Sequence, residues 1–114
     1  MKIILKGRGE GKTTELIKES AKTGKYILTT DRNRVMKIDD MAKEMGLHIP
    51  FPITVMEAMQ YKFRGTFIKS ILIDDADDVL KMIFQVEIDT ITLTEDKKKS
   101  KLNELLKKVK RTKR

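Results

Sequence analysis

The chain has 114 residues, no cysteine and a net charge of +8 at pH 7. This length favours one domain with a modest core, and the absence of cysteine excludes a disulfide framework and suits a reducing compartment. Apolar runs all fall short of the ~20 residues that a membrane-spanning helix needs, and the first residues lack a signal-peptide pattern. We therefore expect a cytoplasmic protein without a transmembrane segment.

The positive charge is concentrated at the C-terminus. Residues 97–114 carry ten lysines and arginines and one acidic residue, whereas residues 1–96 have a net charge of −1. This boundary divides the chain into a nearly neutral body over 1–96 and a basic tail from Lys97 to Arg114. The tail could bind the phosphates of DNA or RNA without reading sequence. An anionic membrane surface, an acidic protein or a merely solvated face are the alternatives.

Apolar runs alternate with helical patterns along the body. Strands are predicted at 2–6, 26–29, 53–55, 69–74 and 88–94, and helices at 11–22, 33–45, 56–63 and 77–85. Alternating strands and helices are typical of a parallel sheet covered by helices. We predict an α/β fold, a three-layer α/β/α sandwich with a small, mainly parallel sheet, followed by a basic C-terminal helix over 99–110. Ligands of such sheets bind at the carboxyl ends of the strands.

A glycine-rich segment joins the first predicted strand to the first predicted helix. It reads Lys6-Gly7-Arg8-Gly9-Glu10-Gly11-Lys12-Thr13-Thr14. Glycines allow successive N–H groups to converge on phosphate oxygens, and the helix N-terminus adds its positive dipole. Lys12 would place its charge on the β- and γ-phosphates, and the Thr13 hydroxyl would bind Mg²⁺. The segment from Gly7 to Thr14 is therefore the predicted ATP site. A glycine-rich turn without a ligand is the alternative.

The strand predicted at 69–74 ends abruptly in carboxylates. Asp74 follows Ile71-Leu72-Ile73, which places it at the carboxyl edge of the sheet, where it could hold the water shell of Mg²⁺. Asp75 comes next and could orient the attacking water, which makes Asp75 and Lys12 the predicted catalytic residues. The alternative is an acidic strand end that stabilises the N-terminus of the following helix.

The two motifs together resemble those of the P-loop NTPase superfamily, over roughly residues 1–95. They look like those of small phage and bacterial P-loop ATP-binding proteins and of minimal terminase and helicase ATPase cores. The positions that carry over are Gly9, Gly11, Lys12, Thr13 and Asp74. The resemblance implies binding of ATP and Mg²⁺ and weak hydrolysis, in a nucleic-acid transaction within a bacterial or phage-infected cell. The chain departs from the pattern at Lys6, where the first glycine is expected, and at Asp75, which replaces a glutamate.

Hydrolysis also requires a positive charge near the transferred phosphate. The arginines before the tail are Arg8, Arg32, Arg34 and Arg64. Arg8 lies within the loop and could touch phosphate or a neighbouring subunit. Any of the four could act as an arginine finger in trans, although a solvated surface charge is the usual interpretation of each, so that a second copy or a protein partner would supply the cation. Thr92 or Thr94 could contact the γ-phosphate, although both also suit a half-exposed strand. A non-catalytic P-loop adaptor or inhibitor is the alternative function, and a nucleotide kinase ranks behind both because its arginine cluster is missing.

Overall fold

The structure is a computed structural model that describes residues 1–7, 9–60 and 68–94. The helices are α1 (Lys12–Thr23), α2 (Arg32–Glu44), α3 (Val55–Met59) and α4 (Ala76–Phe84). The strands are β1 (Ile27–Thr29), β2 (Ile53–Thr54) and β3 (Leu72–Ile73). The basic tail, the helix predicted over 99–110 and the end of the helix predicted over 56–63 lie outside the described residues.

The sheet is small and parallel. Its strand order is β2-β1-β3, and both pairings are parallel, with Leu28 of β1 opposite Ile53 on one side and Ile73 on the other. Helices connect the successive strands along the chain, as parallel pairing requires. The predicted α/β class with a small parallel sheet is thus confirmed.

Adjacent residues of the central strand β1 pack in two different apolar clusters. Ile27 packs in one cluster with α1 and α2, through Leu16, Ile17 and Ile38. The neighbouring Leu28 packs in the other cluster with Val55 of α3 and Val79 of α4. Because successive side chains of a strand point to opposite faces, the sheet is covered by two helices on each side.

Local sequence signals set the ends of the helices. Gly24 ends α1 in the left-handed conformation, with φ +74°. Asp31 begins α2, because its carboxylate accepts a hydrogen bond from the Arg34 N–H at 2.9 Å. Thr54 begins α3 through a reciprocal capping box with Glu57. The caps at Asp31 and Thr54 fix where α2 and α3 start relative to the sheet.

Two of the predicted strands do not form. Residues 2–6 are irregular and lie beside α1, where Lys2 pairs with Glu19 and Ile4 packs against the α1–α2 cluster. Residues 88–94 are also irregular, and Ile91 remains 56% exposed despite its place in an alternating pattern. Apolar content or alternation indicates burial, but a strand also needs a neighbouring strand to bond, and neither segment has one among the described residues.

Candidate functional site

A cleft of about 530 Å³ opens at the carboxyl edge of the sheet. Its walls are the glycine-rich loop with the first turn of α1, one face of α2 and the turn from β3 into α4. This is the edge where parallel α/β sheets bind their ligands, and the volume lies within the range of small-molecule sites.

Two glycines of the loop have a backbone that other residues rarely adopt. Gly9 has φ +78° and Gly11 has φ +86°, and a Cβ added at either position would meet no atom within 4 Å. The conformation itself, and not crowding, therefore requires glycine here. Gly11 precedes α1 without a side-chain cap, so the N–H groups of the first helical turn remain as donors for an anion in the cleft.

Thr13 and Asp74 bring the two sequence motifs together. The Thr13 hydroxyl donates to the Asp74 carboxylate, with its Oγ1 lying 3.2 Å from Oδ1 and 3.4 Å from Oδ2. The two residues are 61 positions apart in sequence. Asp74 is held in place by its own N–H, which donates to the Leu28 carbonyl of β1 at 3.0 Å. A hydroxyl and a carboxylate thus converge at the N-terminus of α1.

Asp74 is buried, with only 4% of its surface exposed. Burial, and next the charge of Asp75, raise the pKa of Asp74, while the hydrogen bond from Thr13 opposes this shift. A buried carboxylate beside a second carboxylate favours a cation. Mg²⁺ commonly takes one or two protein carboxylates and fills its shell with waters and phosphates. Among the residues that the structure describes, no group of three or more His, Cys, Asp or Glu side chains is placed to hold a metal ion. Thr13 and Asp74 could supply two oxygen donors to such a shell.

Asp75 connects three elements of the cleft. Its Oδ1 lies 3.5 Å from Lys12 Nζ, and its Oδ2 accepts a hydrogen bond from Arg34. Partial burial is the largest influence on the pKa of Asp75 and raises it, but the bond and charge of Arg34 and the charge of Lys12 outweigh burial and lower the pKa overall. Asp75 precedes α4 with φ +52° and makes no side-chain cap. Its carboxylate therefore serves the cleft and not the helix end.

Arg34 lines the cleft of its own chain, a place that the sequence motifs did not indicate. Besides its bond to Asp75, its NH2 group lies 3.6 Å from Asp78 Oδ2, and the pairing with Asp75 raises the pKa of Arg34. Arg34 is half-buried and paired with Asp75 of the same chain, so it is more than a solvated surface charge, whereas Arg32 is exposed. One signal could have found it. A helix that follows a parallel strand begins at the carboxyl edge, so the first turn of α2 had to lie beside the ligand cleft.

The remaining predicted residues divide between the cleft and the surface. Thr14 lines the cleft. Gly7 and Glu10 are exposed and form a turn, in which the Glu10 N–H donates to the Gly7 carbonyl at 3.2 Å. Thr92 and Thr94 are exposed in the irregular C-terminal segment and do not line the cleft. Arg8 and Arg64 lie outside the described residues.

Comparison of this chain with protein-family models, with curated proteins and with solved structures finds no match. In the ranges that the structure covers, no helix is both long and apolar enough to cross a membrane. The interpretation of the site accordingly depends on its own geometry.

Proposed function

We propose that this domain binds a nucleoside triphosphate, ATP, together with Mg²⁺ in the cleft, in the manner of a P-loop NTPase. The observation that carries the proposal is the contact of the Thr13 hydroxyl with the buried Asp74 carboxylate at the uncapped N-terminus of α1. A phosphate-binding helix end, a lysine and a pair of Mg²⁺ ligands are the parts that a triphosphate site needs. Here they come from two segments far apart in sequence.

Each part has a role in the proposed reaction. The loop N–H groups and Lys12 hold the phosphates, Thr13 and Asp74 bind Mg²⁺ through its inner or water shell, and Asp75 accepts a hydrogen bond from the attacking water. Mg²⁺ would supply charge neutralisation between the β- and γ-phosphates. We expect weak hydrolysis, because aspartate reaches less far than glutamate and Asp75 must first leave its pairing with Lys12 and Arg34.

The test is calorimetric titration of Mg·ATP into the wild type and two lysine variants. Lys12→Ala removes the charge beside Asp75. Lys18→Ala, its matched control, removes an exposed lysine of the same helix that does not line the cleft. We expect binding by the wild type and Lys18→Ala and none by Lys12→Ala. Equal binding by all three folded proteins, or binding by none, would contradict the proposal.

The charge asymmetry supports a role in a DNA or RNA transaction, since the body is nearly neutral and residues 97–114 carry +9. Binding of such a segment to the phosphates of a nucleic acid would weaken steeply as the salt concentration rises. Fluorescence anisotropy with labelled oligonucleotides at two salt concentrations would test this role. The full-length wild type would be compared with a full-length variant in which four basic tail residues are neutralised. Unchanged affinity in Lys107→Gln/Lys108→Gln/Lys110→Gln/Arg111→Gln would exclude this part of the proposal.

A non-catalytic adaptor or inhibitor is the second candidate. Apolar side chains outside the two clusters favour protein contacts, among them Phe84, which is 62% exposed at the end of α4, and Met56, which is 62% exposed on α3. Such a protein could act as a homo-oligomer or with a protein partner. Release of inorganic phosphate from Mg·ATP separates the candidates: turnover that disappears in Lys12→Ala marks an enzyme, and binding without turnover favours the adaptor.

A further inference from the structure

Asp75 holds two cations from two different helices, one on each of its carboxylate oxygens. Lys12 comes from α1 and lies 3.5 Å from Oδ1, and Arg34 comes from α2 and pairs with Oδ2. The two cationic groups are therefore separated by the width of a single carboxylate. An anion of similar size placed there would contact both of them, and lysine and arginine are the side chains that bind phosphate oxygens.

From this arrangement, and on the basis of the proposed nucleotide site, we infer that Arg34 is a second phosphate-binding cation supplied by the same chain. In the absence of nucleotide Asp75 keeps Arg34 and Lys12 in place, and the triphosphate displaces the carboxylate. The displaced Asp75 is then free to bind the attacking water. No second copy or partner protein is needed to supply the arginine.

The surroundings of Arg34 indicate that an anion belongs beside it. Arg34 lies in the first turn of α2, where its own N–H donates to the Asp31 cap. A cation in the first turn opposes the helix dipole, and the carboxylates of Asp75 and Asp78 offset this unfavourable interaction at Arg34. Asp78 contacts NH2 at 3.6 Å and can hold that end of the guanidinium while NH1 exchanges Asp75 for a phosphate oxygen.

The position of Arg34 also indicates which phosphate it contacts. The loop approaches the ligand from α1, with Lys12 at the β- and γ-phosphates, whereas Arg34 approaches from α2 on the other oxygen of Asp75. Asp75 directly follows the Mg²⁺ ligand Asp74 and is the residue assigned to the attacking water. Arg34 therefore lies beside the terminal phosphate, and it makes the site prefer triphosphates over diphosphates.

Calorimetry with Mg²⁺ and either ADP or a non-hydrolysable ATP analogue tests this inference. Arg34→Ala should weaken binding of the analogue at least about tenfold, the value of a lost hydrogen bond to a charged group, and change ADP affinity much less. Arg34→Lys should fall between Arg34→Ala and the wild type. Arg32→Ala, which removes an exposed arginine of the same helical turn, should bind both nucleotides like the wild type. Retained ADP binding also shows that a variant is folded.

A second pair of variants tests the displacement of Asp75. Asp75→Asn should bind the analogue more tightly than the wild type, because Lys12 and Arg34 no longer need to leave a carboxylate. Asp77→Asn is the matched control, since Asp77 lines the same cleft in the first turn of α4 and removes the same charge. An equal gain in both variants would show only a general charge effect and would overturn the role of Asp75.

The outcomes separate this inference from the proposed function. Analogue binding that is lost in Lys12→Ala but unchanged in Arg34→Ala would overturn the role of Arg34 and leave the nucleotide site standing. An equal loss of ADP and analogue in Arg34→Ala would overturn its selectivity for the terminal phosphate. Absence of nucleotide binding by the wild type would overturn both proposals together.

Discussion

Replacing Gly11 by alanine should affect both stability and ligand binding, and Gly24 provides its control. Gly11 lies just before α1 with φ +86°, and Gly24 lies just after the same helix with φ +74°. A Cβ added at either position would meet no atom within 4 Å. The left-handed backbone costs an L-residue about 1–2 kcal/mol. Gly11→Ala and Gly24→Ala should therefore lose similar amounts of unfolding free energy, and each kcal/mol should lower Tm by roughly 4–8 °C in a domain of this size.

The two variants should differ in nucleotide binding. Relaxation of φ at residue 11 rotates the peptide that joins it to Lys12 and redirects N–H groups away from the cleft, whereas residue 24 lies at the opposite end of α1. We expect Gly11→Ala to lose most of its affinity for Mg·ATP in calorimetry and Gly24→Ala to bind like the wild type. Urea denaturation gives the unfolding free energy of each protein independently of ligand.

Three results would refute this reasoning. Wild-type affinity in a measurably destabilised Gly11→Ala would show that the loop does not hold the phosphates. Equal loss of binding in Gly24→Ala would attribute the effect to lost stability alone. Unfolding free energies indistinguishable from that of the wild type would show that the positive φ values carry no cost for alanine.

Three further substitutions test the cleft and its support. Asp74→Asn should raise the Tm of the nucleotide-free protein at neutral pH. Burial raises the pKa of Asp74, so the charged carboxylate destabilises the folded protein above that pKa. Thermal unfolding should show the gain in Tm disappear as the pH falls below 3.8, the pKa of this carboxyl in the unfolded chain. Thr13→Val should abolish Mg²⁺-dependent nucleotide binding in calorimetry, and Thr13→Ser should retain it, because only the hydroxyl is needed. Asp31→Ala should lower the unfolding free energy by about 1 kcal/mol in urea, the usual value of an N-cap, and Asp31→Asn should not. An unchanged Tm for Asp74→Asn would contradict the first argument, and Mg²⁺-dependent nucleotide binding by Thr13→Val would contradict the second. An unfolding free energy of Asp31→Ala equal to that of the wild type would contradict the third.

The helices could be predicted closely because their signals are local. The prediction of 11–22 differs from the observed Lys12–Thr23 by one residue at each end, since Gly11 and Gly24 mark its limits. The prediction of 33–45 likewise approaches the observed Arg32–Glu44, where Asp31 supplies the cap. Apolar spacing and end residues both lie within the helix they describe.

The strands were predicted less well because pairing depends on distant residues. The pattern at 69–74 gave the right segment, but only Leu72 and Ile73 pair with β1. The segments 2–6 and 88–94 have comparable apolar content and remain irregular. Hydrophobicity and alternation report which residues tend to be buried, whereas pairing requires a neighbouring backbone that the local pattern does not specify.

The site residues also divide into those that a local motif indicates and one, Arg34, whose place depends on distant residues. Lys12 and Asp74 belong to short motifs whose chemistry can be interpreted locally, and the structure places both at the cleft. Arg34 belongs to no motif, and its partner Asp75 is 41 positions away in sequence. Only the order of the strands reveals that these two residues meet.

The strand order explains why a sheet of three short strands is enough to build the cleft. β3 pairs with β1 in parallel, so the segments that follow these two strands leave the sheet side by side at the same edge. Asp74 and Asp75 follow β3, while Asp31 follows β1 and begins the helix that carries Arg34. The Asp74 N–H donates to the Leu28 carbonyl at 3.0 Å and extends the pairing to the cleft itself. The Asp75–Arg34 pair is thus a consequence of β1 and β3 being neighbours, and a fold with β2 between them would have separated the two residues by a further strand.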